Sequence, residues 1–318
     1  MIGNFCRKSS RLKISVILIV YDMEREALRT LQSLSSRYQQ DISPDDYEVI
    51  VVDNGSPKPL GEDIVQTMGR NFHYHYIKNA HPSPASAINF GVNQSKGDIV
   101  GIMIDGARIV TPGLLHYTQL AFKAYENPTV AALGWHIGPE SQQKSVAKGY
   151  NQNAEDKLLA DINWPNEGYR LFEISSLAGS SAQGCFSPIA ESNTIFLKRN
   201  TYDEIGGYDT AFDIPGGGLI NLDFYRRACE RKEAPVVILL GEGSFHQVHN
   251  GVSTNIPEED CEKRFQEWAA QYQEIRGIPW DYPKYKAEYM GVIPSEALEY
   301  IAWSADHVID KMPATTSA

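Results

Sequence analysis

The sequence predicts a doubly wound α/β fold, a mostly parallel sheet with flanking helices. Two observations carry this. Continuous, β-branched apolar runs, the form of strands buried on both faces, alternate with helix-period patterns over roughly the first 130 residues. Short segments rich in turn formers join them. A length of 318 residues suits one such domain of about 250 residues plus an appendage.

Ile14 to Val20 is the first run, and Asp22 is placed to cap a helix with Ala27, Leu31, Leu34 and Tyr38 inward. Tyr47 to Val52 reads as the second strand, closed by the turn chemistry of Asp53-Asn54-Gly55-Ser56. A helix near Gly61 to Arg70, a short strand at His73 to Ile77 and a helix at Ser86 to Gln94 follow. Ile99 to Ile104 is a fourth strand, Pro112 opens another helix, and Val130 to Trp135 is a fifth strand. From Gly138 to Pro188 the chain is polar and shows no period, the texture of a long irregular loop over a substrate. Strand Ser192 to Leu197, helix Arg199 to Ile205, helix Asn221 to Lys232 and strand Pro235 to Leu240 complete the domain, which is expected to span residues 12–252. Residues 253–312 read as a helical extension packed on it. Asn255 and Glu258 cap a first helix with Phe265, Trp268 and Tyr272 in its stripe, and Leu298, Ile301, Ala305 and Val308 mark a second.

Composition narrows the function classes. With 42% hydrophobic and 22% charged residues the chain is ordinarily globular, which excludes whole-chain disorder. A net charge of −11 opposes nucleic-acid backbones while leaving room for a small phosphorylated ligand at a local positive spot. Cys6, Cys185, Cys229 and Cys261 form no Cys-x-x-Cys pair, which favours free thiols in a reducing, cytoplasmic compartment. The apolar run after Arg11 and Lys13 is seven residues long, too short for a membrane span, and no transmembrane segment is expected.

No Gly-x-Gly-x-x-Gly follows the first strand, and neither a phosphate loop nor a Gly-x-Ser-x-Gly elbow is present, which counts against dehydrogenase, P-loop and serine-hydrolase chemistry. Instead, polar residues stand at predicted strand ends. They are Tyr21 after the first strand, Asp53, Asn54 and Ser56 after the second, and Asp105 after the fourth, with Asn89 on the helix before it. In a parallel sheet these ends share one edge, where open α/β sheets bind ligands. A tyrosine can stack on a base, and carboxylates and amides can read base and ribose. Taken alone, Asp53-Asn54-Gly55 reads first as a plain turn.

As a set, these residues resemble a family-2-type glycosyltransferase of the GT-A fold. The likeness rests on Ser15 to Tyr21, Glu48 to Ser56, Ala87 to Gly91, Lys96 to Val100, Asn193 to Asp209 and the region Asn221 to Arg227, and covers about residues 12–250. It implies a nucleotide-diphosphate sugar donor, a saccharide or lipid-linked saccharide acceptor, and inversion at the anomeric carbon, in polysaccharide or glycoconjugate synthesis. It further implies a cytoplasmic site of action, free or at the inner face of the membrane. Tyr21, Asp53, Asn54, Ser56, Asn89, Asp105 and Arg108 would hold the donor.

Two departures qualify the likeness. The Asp-x-Asp pattern reads Asp105-Gly106-Ala107, and an alanine cannot ligate Mn²⁺ or Mg²⁺. Either Arg108 supplies the positive charge and the enzyme is metal-independent, or a metal persists on Asp105 and a histidine. His246 is the histidine favoured, since a strand would turn His249 to the opposite face. The Glu-Asp pair that would carry the general base falls on Ile220-Asn221, and an amide takes no proton. Asp223 is therefore the first candidate base, with Glu191 and Asp213 in reserve. Two other readings stand beside the transferase. One is a nucleotidyltransferase, disfavoured by the acidic, glycine-free Asp22-Met23-Glu24; the other is a catalytically degenerate nucleotide-sugar-binding module or partner subunit.

Overall fold

The structure, a computed structural model, describes residues 12–249 and 258–311. Its strands are β1 (Ile14–Val20), β2 (Tyr47–Asp53), β3 (Phe72–Tyr76), β4 (Ile99–Met103), β5 (Arg108–Val110), β6 (Thr129–Ile137), β7 (Ser175–Leu177), β8 (Ile195–Lys198), β9 (Val236–His246) and β10 (Ala287–Met290). The helices are α1 (Glu24–Leu34), α2 (Glu62–Gln66), α3 (Ala85–Gln94), α4 (Leu114–Ala124), α5 (Gln142–Ala147), α6 (Gln152–Asp161), α7 (Arg199–Glu204), α8 (Ile220–Cys229), α9 (Glu258–Arg276) and α10 (Leu298–Ile309).

The sheet runs β10-β9-β6-β8-β4-β1-β2-β3, with β5 paired to β9 and β7 to β6. Only β8 opposes the main direction of that path, pairing antiparallel with both β4 and β6. The C-terminal ends of β1, β2, β4, β6 and β9 therefore lie along one edge. The β1 run explains the two layers. Ile17 and Ile19 point into one apolar core and Ile14, Val16, Leu18 and Val20 into the other, so every residue of the strand is buried. Each such side chain contributes about 1.5–3 kcal/mol on burial.

Several expectations change. Asp22 does not cap α1; it takes a left-handed φ of 49° and its amide donates to Ser56 Oγ at 2.9 Å. The stretch from Gly138 to Pro188 is not an irregular loop, since it folds into α5, α6, a 3₁₀ segment at Gly168–Ile174 and β7. The extension is not purely helical, because β10 adds a parallel edge to β9. In its helices Tyr272 is buried as expected, but Phe265 and Leu298 are exposed and Ser304 takes the buried position on α10. Cys6, the Asn255–Glu258 cap and the Cys261 side chain lie outside the described residues. Among the described residues, Cys185 and Cys229 are free and buried, and no helix is long and apolar enough to cross a membrane.

Candidate active site

The site is built where β4 ends against β1. The chain must pass very close to β1 here, since a Cβ on Gly106 would sit 2.6 Å from Val20 Cγ1 and 2.7 Å from the Ile19 carbonyl oxygen. Thr30 on α1 fixes the passage, donating to the Gly106 carbonyl at 2.6 Å and accepting from the Arg108 amide at 3.0 Å. Asp105 is thereby held at the edge with a fifth of its side chain exposed, and β5 starts immediately, pairing Arg108 with His246 on β9.

Three ligand-type groups converge. His246 Nε2 lies 2.9 Å from Asp105 Oδ2 and 3.1 Å from His249 Nε2, and His249 is 3.8 Å from the other Asp105 oxygen. The expectation that His249 points away is thus wrong. β9 ends at His246, the chain bends through Gln247 and Val248, and the second ring returns to the same side. Gln247 anchors this bend, its amide nitrogen on the Ala107 carbonyl and its side chain on that of Glu26.

Burial, the largest influence, pulls His246 down to about 4 against the pull of Asp105, so its ring is neutral near pH 7. Burial pushes Asp105 up, but His246, His249 and Arg108 outweigh it and hold the carboxyl well below its usual range. A neutral ring carries one proton. Yet Gln142 Oε1 lies 2.5 Å from its Nδ1 and the Asp105 carboxylate faces its Nε2, two acceptors for one hydrogen. A cation among Asp105, His246 and His249 resolves this shortage. Separations of 2.9, 3.1 and 3.8 Å put the three groups close enough together to share one ion. Imidazole nitrogen beside carboxylate oxygen suits Mn²⁺ better than Mg²⁺. The residues fit a divalent metal even though Ala107, fully buried, offers no ligand.

Arg108 is the positive group beside them. It is 7% exposed, its Nε stands 3.5 Å from Asp105, and its Nε and Nη1 have no hydrogen-bond partner. Burial lowers its pKa, against the charges of Asp105 and Glu191. Glu191 precedes β8 at the same edge. Burial raises its pKa, partly offset by Asn221 and Arg108.

Asn221 holds Glu191 in place, donating to Oε2 at 2.7 Å while its own oxygen accepts from Tyr208 Oη at 2.8 Å. Asp223, the first candidate base, is excluded by its surroundings. It is 1% exposed and clamped by Arg227 at 2.8 Å and by Arg276 at 2.6 and 2.8 Å. It ties α8 to α9.

The expected donor residues divide. Tyr21, 53% exposed, stands free at the end of β1. Asn54 is partly exposed and donates to the His81 carbonyl at 3.0 Å. Asp53 is fully buried and organises its own loop, accepting from the Ser56 and Leu60 amides and from Tyr74 Oη. Ser56 in turn fixes Asp22. Asn89 is corrected outright. Its amide donates to the Tyr208 carbonyl and its oxygen accepts from Tyr202 Oη and the Tyr208 amide, so it staples α3 to the 202–208 segment and is engaged chiefly within the protein.

No protein of curated function matches the chain. Among solved structures, S. aureus TarS is 14% identical with a TM-score of 0.47; the match covers 82% of this chain and 40% of the TarS chain. S. aureus TarS 1–349 in complex with UDP-GlcNAc is 16% identical with a TM-score of 0.47, over 82% of this chain and 67% of that one. Glucosyl-3-phosphoglycerate synthase from Mycobacterium tuberculosis, in complex with phosphoglyceric acid, is 17% identical with a TM-score of 0.48, over 85% of this chain and 82% of that one. Residues 15–176, just over half the chain, match the family model described as glycosyl transferase family 2. With its doubly wound sheet of GT-A type and this edge of polar strand ends, the chain belongs to glycosyl transferase family 2.

Proposed function

We propose that the protein transfers a sugar with inversion from a nucleotide-diphosphate sugar to a hydroxyl of a saccharide or lipid-linked saccharide, in polysaccharide or glycoconjugate synthesis at the cytoplasmic side of the membrane. The observation that carries this reading is one sheet edge that brings a candidate metal cluster and Arg108, for a leaving diphosphate, beside a partly buried, amide-held carboxylate of raised pKa.

Tyr21 offers its face to the base, and Asn54 its amide to the ribose. Arg108, buried beside Asp105, supplies positive charge near the diphosphate. Asp105, His246 and His249 would hold Mn²⁺ or Mg²⁺, which would neutralise the diphosphate charge as the bond to the sugar breaks. Glu191 takes the proton from the acceptor hydroxyl. The freed oxygen bonds to the anomeric carbon from the face opposite the diphosphate, and the electron pair of the broken bond leaves on the nucleoside diphosphate. A carboxylate whose pKa burial has raised toward neutrality is the better base for this step. Electrostatic stabilisation of the departing diphosphate is the larger catalytic effect.

The test is a panel of UDP-, GDP- and dTDP-sugars, with and without Mn²⁺, monitored for nucleoside diphosphate release. Release with one donor class, lost in Asp105→Ala and kept in Arg70→Ala at the opposite edge of the sheet, supports the reading. Tight binding with no release for any donor overturns it in favour of a binding-only module, the reading that Ala107 favours.

A further inference from the structure

The segment that the sequence leaves without a pattern, residues 138–174, is what grips the histidine pair. Gln142, the first residue of α5, is 1% exposed, and its side-chain oxygen meets His246 Nδ1 at 2.5 Å. Its backbone amide donates to His136 Nδ1 at 3.0 Å, which fixes where α5 starts relative to the upper end of β6. Farther along, Glu155 of α6 is fully buried and accepts from the Val248 amide at 2.7 Å, midway between the two histidines. Glu155 is held by Arg25 of α1 at 3.2 Å. One inserted pair of helices therefore fixes the ring of His246 and the backbone that carries His249.

We propose that Gln142 is a positioning residue that sets the tautomer of His246. The proposal rests on the reading that Asp105, His246 and His249 hold a divalent cation. An amide oxygen only accepts, so the imidazole hydrogen sits on Nδ1 and the Nε2 lone pair is turned toward Asp105 and His249. Partners that orient the distal nitrogen of a ligating histidine typically change metal affinity about 10–100-fold when removed. Were the amide reversed, its NH₂ would donate to Nδ1, the hydrogen would move to Nε2, and the ring would be closed to a cation.

The experiment measures Mn²⁺ uptake by the full chain, reading free Mn²⁺ by electron paramagnetic resonance, for wild type, Asp105→Ala, Gln142→Met, Gln142→Glu and the exposed Lys144→Ala. Binding weakened about 10–100-fold in Gln142→Met, and retained in Gln142→Glu, which keeps only acceptors at that position, is the expected result. Unchanged binding in Gln142→Met, or loss in both Gln142 variants with Lys144→Ala intact, overturns the proposal. Absence of Mn²⁺ uptake by wild type, or uptake unaffected by Asp105→Ala, removes the cation reading itself and the proposal with it. A second measurement reads the wild-type ring directly. Long-range ¹H–¹⁵N correlation on metal-free wild type, assigned with His246→Ala, should show Nδ1 protonated and Nε2 bare, and the reverse tautomer overturns the inference.

Discussion

Glu191 and Asp223 are the two carboxylates weighed as the base, and two isosteric substitutions separate their roles. In Glu191→Gln the amide keeps the volume and the bond from Asn221 but takes no proton. Loss of a general base costs about 10²–10⁴ in rate, while removal of a partly buried carboxyl of raised pKa leaves the melting temperature unchanged or higher. In Asp223→Asn the effect reverses. Arg227 and Arg276, each about a quarter exposed, lose the carboxylate between them. Breaking a buried pair costs about 3–5 kcal/mol, and the partial exposure of both arginines places the loss near the lower end, about 3 kcal/mol. With an unfolding entropy of about 2.1 cal/mol/K per residue, the 318 residues give about 0.7 kcal/mol/K, so the melting temperature falls by about 4–5 °C. The assay pairs thermal unfolding with single-turnover nucleoside diphosphate release at a temperature where both variants are folded. A variant Asp223→Asn that melts like wild type but has lost turnover, beside an active Glu191→Gln, would refute this assignment.

Three further outcomes are expected. The rate of release should fall on the acid side of its pH profile with a midpoint above the ordinary Glu value of about 4.3, because burial raises the group that must be deprotonated, and the limb should vanish in Glu191→Gln. Asn89→Ala should leave donor affinity unchanged by calorimetry and lower stability by about 1–3 kcal/mol, since it strands the Tyr208 amide and carbonyl and the Tyr202 hydroxyl. Burial raises Glu242 from 4.5 to about 7, so the folded chain binds this proton more tightly than the unfolded one. That contribution is full below about pH 4.5 and is lost as pH rises through 7, by about 3 kcal/mol in all; Glu242→Gln should flatten the corresponding slope in melting temperature between pH 5 and 8.

Much of the fold was legible because burial on two faces writes itself as long β-branched runs, and the observed bounds of β1 match the sequence reading at both ends. What escaped was short or held by polar contacts. β5 is three residues long, below any detectable period. α5 and α6 are 6 and 10 residues and are anchored by Gln142 and by the pairing of Arg25 and Arg29 with Asp156, so no apolar stripe announces them. At the site, residue type was legible but partnership was not. Asn89 looks like a ligand group until Tyr208, 119 positions away, is found to consume it. Asp223 looks like a base until Arg276, 53 positions on, closes over it. Glu191 carried a fair signal, an acid directly before the strand beside β4. The His-x-x-His spacing is also a signal, masked because a strand running past His246 would turn the two rings apart and because no further soft ligand stands near them in sequence. For Gln142 no sequence signal exists.

The ladder between β6 and β9 slips once. Ala131 faces Ile238, but Leu133 faces Gly243, so β9 spends three more residues than its neighbour on the step. Gly241 makes the detour, at φ 75° with its absent Cβ 2.2 Å from the Val292 carbonyl oxygen. Below the slip β9 is a rung of the hydrophobic slab, flanked by β6 and β10; above it the same strand leans onto β5 and delivers a histidine. One continuous stretch of backbone thus behaves as a jointed arm, its shoulder locked in the slab and its hand free to be re-tooled, so that new chemistry at the tip need not disturb the foundation.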